Sequence, residues 1–141
     1  MRIGIDCRSL QEPEPSGVSA YTRETLRSLV RLPQAQQHTF VCFVNGFGLQ
    51  KNAALMQSLH TIADGPHVEW RVRGWPNKLL TSAEVALHKP SLRWMFGGAD
   101  VAFIPNLQFF SFTDRSMPFV LTIHDLSFER YPECLDFKGR L

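Results

Sequence analysis

The spacing of apolar positions changes several times along the chain, and each change marks an element. Ile3 to Cys7 is a short apolar run that predicts a strand immediately after the N-terminus. A stretch of turn formers follows, Glu12-Pro13-Glu14-Pro15-Ser16-Gly17. From Val18 to Leu32 the residues Val18, Tyr21, Leu26, Leu29 and Val30 recur at helical spacing with Arg and Glu between them. Ser16 is placed to cap that helix and Pro33 to stop it. Thr39 to Val44 predicts a second strand, ended by Asn45-Gly46. A helix is expected over 50–60, with Leu55, Leu59 and Ile62 on one face. His67 to Arg73 alternates polar and apolar residues strictly, the pattern of a half-exposed strand, and its charges place it at a sheet edge. A long helical segment over 77–96 is divided by Pro90, which suits the first turn of a new helix, and is closed by Gly97-Gly98. Val101 to Ile104 and Phe119 to Ile123 are continuous apolar runs, as parallel strands covered on both faces require.

Strands alternating with helices argue an α/β fold, a Rossmann-like, doubly wound parallel sheet. The crossover rule puts the first strand in the centre, and the exposed third strand suits the edge of a 3-2-1-4-5 order. Ligands of such sheets bind beyond the carboxyl ends of the strands, where the order reverses. The segments after Cys7 and after Ile123 meet at that point.

Composition narrows the class without changing this picture. The chain has 141 residues, 44% of them hydrophobic, with eleven Phe and three Trp, enough for the core of one domain and too apolar for a disordered chain. The formal charge is only +2, far from the basic footprint of a nucleic-acid binder. Cys7, Cys42 and Cys134 are widely spaced and form no CxxC, which fits buried reduced thiols better than a disulfide frame or a zinc site. The start turns polar within a few residues and no apolar run is long enough to span a bilayer, so the expected place is the cytoplasm. Arg23, Arg27 and Arg31 form a basic stripe, read first as a solvated helix face and second as a contact with an anionic membrane surface.

Two positions carry the chemistry. Gly17 opens the first crossover helix, where free N–H groups and the helix dipole favour an anion and glycine permits close approach; the alternative is a glycine needed only for the turn. His124 follows the last strand directly, at the end where polar groups face a ligand; the alternative is a structural histidine satisfied by a carbonyl. Asp125 adjoins it without being assumed to orient it. Arg8 and Asp6 flank the end of the first strand, to cap the loop or contact a phosphate, and Asn106 stands after Ile104-Pro105 to orient a ligand or close a turn. His60 and His67 lack a third ligand at metal-binding spacing. Phe109, Phe110 and Phe112 can line an acceptor groove or pack in the core. No GxGxxG follows the first strand and no Gly-Lys-Ser/Thr occurs, so dinucleotide and P-loop fingerprints are absent.

Taken together, four segments resemble the N-terminal half of a family-4 (group 1) glycosyltransferase of the GT-B fold. They are Arg2 to Leu10, Ser16 to Glu24, Gly98 to Asn106, and Val120 to Phe128 with Tyr131-Pro132. The resemblance implies a retaining transferase that moves a sugar from a nucleotide-diphosphate donor to an acceptor hydroxyl, without a metal. It puts Gly17 and Val18 against the donor diphosphate and His124 beside the donor sugar. Family members often carry two glycines where this chain has Ser16-Gly17. It also implies that residues 1–141 are one incomplete, acceptor-side domain, inactive until joined to the C-terminal domain that holds the nucleotide sugar. Cut there, the Phe119–Ile123 strand becomes an open edge, and the fragment is expected to self-associate through it or through exposed helix faces. A non-catalytic α/β module binding a nucleotide or a protein partner is the competing expectation.

Overall fold

The computed structural model describes residues 1–12, 14, 16–87, 89–106, 116–125 and 130. Phe109, Phe110, Phe112, Cys134 and the Tyr131-Pro132 pair therefore lie outside the described residues. Five parallel strands form one sheet: β1 (Arg2–Asp6), β2 (Thr39–Asn45), β3 (Val68–Arg73), β4 (Val101–Ile104) and β5 (Phe119–Leu121), in the order β3-β2-β1-β4-β5. The helices are α1 (Gly17–Val30), α2 (Ala53–Ile62), α3 (Asn77–Leu87) and α4 (Leu92–Met95). The expected α/β class, the order of strands and the edge position of β3 all hold. No helix among the described residues is long and apolar enough to cross a membrane.

Two cores lie on the two faces of the sheet. Ile5, Leu26, Phe40, Cys42, Val44, Leu59 and Ile62 pack α1 and α2 against one face. Phe43, Leu80, Leu92, Met95, Phe96, Ala102 and Ile104 pack α3 and α4 against the other. Gly4 makes the second contact possible, because a Cβ there would fall 2.4 Å from Cγ of Phe96. Glycine inside a strand marks such a close approach. The φ angles of Gly97 and Gly98, 60° and 76°, turn the chain sharply after Phe96.

Several boundaries moved for identifiable reasons. α1 starts at Gly17 because Ser16 caps it, its hydroxyl accepting from the Ser19 N–H while the Ser19 hydroxyl accepts from the Ser16 N–H. α2 begins at Ala53, later than its periodicity implies, because Gly48 in the left-handed region opens a 3₁₀ turn over Leu49–Lys51 and Asn52 then caps the helix. Pro90 does not open the helix after the break; Ser91 caps α4, which is one turn long. β5 ends at Leu121, not Ile123, although the Thr122 N–H still bonds the Ile104 carbonyl.

β5 also departs from the expected double cover. Phe119 and Leu121 pack on the α3–α4 core, whereas Val120 is 59% exposed and Ile123 52% exposed. The reason is position: β5 is the last strand of the sheet among the described residues, and α1 and α2 pack over β1, β2 and β3. At the opposite edge the polar side of β3 is not simply solvated. Arg71 and Arg73 are half-buried, with their guanidinium groups over the Trp94 ring of α4.

Candidate functional site

The strand order reverses between β1 and β4, the two strands that flank the crevice where open α/β sheets take ligands. The described residues around this point come from β1, α1, β4 and the segment after β5. Their positions follow from the cap, the register and two long-range contacts.

The start of α1 faces this end of the sheet. The cap and the first helical turn satisfy the N–H groups of Ser19 and Ala20. Those of Gly17 and Val18 have no partner among the described residues. Such free donors, aligned with the helix dipole, make an anion site without any cationic side chain. Gly17 is exposed, its φ lies outside the left-handed region, and a Cβ there would meet nothing within 4 Å. The turn does not require glycine. Its small size leaves open space in front of the helix.

His124 lies in the segment after β5, against α1 and the end of β4. Its Nε2 stands 2.8 Å from the Pro105 carbonyl oxygen at the end of β4. A carbonyl can only accept, so Nε2 carries the hydrogen and Nδ1 of the neutral ring is left as an acceptor. The ring meets Tyr21 of α1 edge-to-face, with centroids 5.0 Å apart and planes at 89°. The Tyr21 hydroxyl lies 3.3 Å from the Thr122 hydroxyl just beyond β5. The carbonyl contact is the structural alternative read from sequence, and the side chain remains exposed.

Tyr21 is the residue that the sequence reading misplaced. Periodicity assigned it to the core stripe, yet it is 39% exposed and braces His124, while Ser19 and Thr22 are the buried residues of that turn. One signal was available: Tyr21 is four residues after Gly17 and so shares its helix face. The Ser9 hydroxyl donates to Oγ1 of Thr22 at 3.0 Å, tying the segment after β1 to α1.

Arg8 is already engaged. Its Nη2 lies 2.7 Å from Oδ2 of Asp6, its Nε lies 3.0 Å from Oδ1, and the Arg8 backbone N–H also donates to that carboxylate. The side chains are 11% and 8% exposed. This bidentate pair stiffens the end of β1, the loop-capping alternative of the two read from sequence. Asn106 is half-buried at the end of β4, next to the carbonyl that holds His124, and Asp125 is exposed. His67 bonds the Val30 carbonyl and His60 pairs with Asp64. Cys7 and Cys42 are buried and unlinked by a disulfide. Burial above all, with the neighbouring Cys42, holds the Cys7 thiol well above its ordinary pKa, so it is a poor nucleophile.

Compared with known proteins, the chain matches no family model, no curated protein and no solved structure.

Proposed function

We propose that this domain is the acceptor-side half of a retaining glycosyltransferase, whose donor is a nucleotide-diphosphate sugar. The observation that carries the reading is the convergence of two segments at the reversal of strand order. The first turn of α1 leaves the Gly17 and Val18 N–H groups without a partner among the described residues. The same helix meets the segment after β5 through Tyr21, whose ring lies 5.0 Å from that of His124, and His124 is also held by the Pro105 carbonyl. The four segments that resemble family-4 enzymes include both of these partners.

In this reading the α1 terminus receives the diphosphate, where backbone donors offset negative charge without a metal. His124 lies beside the transferring sugar. With Nε2–H committed to Pro105, Nδ1 is the atom free to accept a hydrogen bond from a sugar hydroxyl. Arg8 serves by keeping the β1 end rigid through Asp6. Asn106 and Asp125 are second-rank contacts for the sugar or acceptor. A second domain completes the cleft, and the product leaves with the acceptor oxygen in the new glycosidic bond and the nucleoside diphosphate as leaving group.

The test has two parts. Uridine diphosphate titrated into the ¹⁵N-labelled chain is expected to shift the Gly17 and Val18 amide signals saturably. In the protein extended by the reading frame beyond residue 141, assayed against a panel of nucleotide sugars, His124→Ala is expected to lower turnover by about 10²–10⁴-fold with the fold intact. Unmoved Gly17 and Val18 signals together with no turnover of any nucleotide sugar by the parent protein would return the domain to the class of non-catalytic binding modules, and normal turnover of the variant would remove His124 from the mechanism.

A further inference from the structure

A second concave site lies away from the β1–β4 crevice, between the end of β3 and the α3–α4 bend. It encloses about 510 Å³, a volume ordinary for a small-molecule site. Trp75, Leu80, Ala83, Pro90 and Trp94 supply its apolar walls, and Lys89 and Ser91 are its polar members.

Its two tryptophans are held by the backbone while their rings stay in solvent. The fully buried Asn45 side chain takes both main-chain groups of Trp75, Nδ2 donating to its carbonyl at 3.1 Å and Oδ1 accepting from its N–H at 3.3 Å. The Trp94 N–H is bound by the Ser91 hydroxyl oxygen and its carbonyl by Nη2 of Arg71 at 3.0 Å. The indoles stand 6.2 Å apart at 74°, yet are 52% and 39% exposed. Two fixed, nearly perpendicular rings form a corner into which a flat ring can stack on one and meet the edge of the other.

The charged side chains described in contact with this corner are all cationic. Lys89 lines it, and the guanidinium carbons of Arg73 and Arg71 lie 5.1 and 6.0 Å from the Trp94 ring centre. No carboxylate is among the described lining residues. Arg73 forms no ion pair among the described residues, and the buried Nε atoms of Arg71 and Arg73 have no hydrogen-bond partner. Glu69, the acid nearest in sequence on β3, is paired with Arg2. Burial first, then the Arg73 charge, pulls the Arg71 pKa below its usual value, as expected where positive charge is not fully answered.

We propose that the Trp75–Trp94 pocket binds a planar aromatic anion, a flat ring system bearing a carboxylate or phosphate. The ring fills the indole corner and the anionic group answers Lys89, Arg73 and the free hydroxyl hydrogen of Ser91. A neutral ligand would leave those cations unanswered. This site is independent of the reading given for the β1–β4 crevice.

Indole N–H signals of the ¹⁵N-labelled chain test it, with 2-naphthoate, 1-naphthyl phosphate and the neutral 2-naphthylmethanol as ligands. Trp70, which donates to the Ala63 carbonyl and packs on the opposite face of the sheet, is the internal control. Saturable movement of the Trp75 and Trp94 signals with a still Trp70 signal is expected, the tighter of the two acids showing which anionic group the site prefers. The alcohol is expected to bind about 5-fold more weakly, and Lys89→Gln with Arg73→Gln to weaken the acids by about 5- to 10-fold. Lys89→Gln alone, at an exposed position, keeps the test open if the double variant fails to fold. No saturable shift at Trp75 and Trp94 overturns the proposal. So does equal affinity for acid and alcohol, or movement of these signals only with phosphatidylglycerol vesicles, which would make the face a membrane surface.

Discussion

Gly4→Ala is the sharpest perturbation of this fold, because its cost can be worked from a single contact. The added methyl group would lie 2.4, 2.6 and 2.8 Å from Cγ, Cβ and Cδ1 of Phe96, against an ordinary contact of 3.4–4 Å. One partner must therefore withdraw by about 1 Å in an interior packed like a crystal. Phe96 has little freedom to do so. It is fully buried, lies edge-to-face on Phe43 at 5.9 Å, and its N–H donates to the Leu92 carbonyl at 2.9 Å. β1 is no freer, being paired with β2 on one side and β4 on the other. Overpacking costs about 1–3 kcal/mol, and the rigidity of both partners puts this case near 3. For a domain of this size that is a fall of about 6–12 °C in Tm. Urea unfolding followed by far-ultraviolet circular dichroism measures the loss as a lower midpoint at unchanged slope. Phe96→Ala supplies the control: alone it costs about 3–5 kcal/mol, but with Gly4→Ala it removes the Cγ and Cδ1 contacts and leaves only Cβ, so the double variant should beat the sum of the singles by at least ~1 kcal/mol. A loss below ~0.5 kcal/mol for Gly4→Ala, or strict additivity of the pair, would refute the packing of Phe96 onto β1.

Gly17→Ala is expected to leave stability unchanged or raise it by up to ~1 kcal/mol, since its Cβ enters open space. If α1 receives a diphosphate the same variant weakens uridine diphosphate binding, so thermal melting and the amide titration should separate fold from site. Arg8→Met leaves the Asp6 carboxylate buried without its partner and is expected to cost about 3–5 kcal/mol in urea unfolding, with Asp6→Leu in the same chain restoring much of it. Cys7 has its thiol pKa raised by folding, so its contribution is complete below the unfolded value near 9.0 and is lost as pH rises above it. Unfolding free energy should therefore fall by about 1.4 kcal/mol per pH unit more steeply in the parent than in Cys7→Ala over that alkaline range.

The pattern along the chain was enough for the α/β class, the central place of β1, the exposed edge at β3 and the Ser16 cap of α1. These features are local. Alternation in His67–Arg73 reports one strand's surroundings, and the Ser16–Ser19 box needs only four consecutive residues. Gly17 and His124 were singled out from sequence by their places at the start of a crossover helix and after a strand. What those residues touch was not legible. Tyr21 looked like core, yet meets Thr122 at a separation of 101 residues, because the packing of Leu26 and the neighbouring turn rotates that face of α1 toward the β5 end. Arg8 was open to two readings, capping the loop or contacting a phosphate, and only the buried end of β1 shows its charge matched by Asp6. The run at Phe119–Ile123 implied two covered faces, because apolar character does not say on which side of a strand a helix lies. Gly4 and Phe96 made no mutual signal at all: periodicity places each residue on its own element, and only tertiary packing decides that a helix end comes so close to a strand that no side chain fits between them.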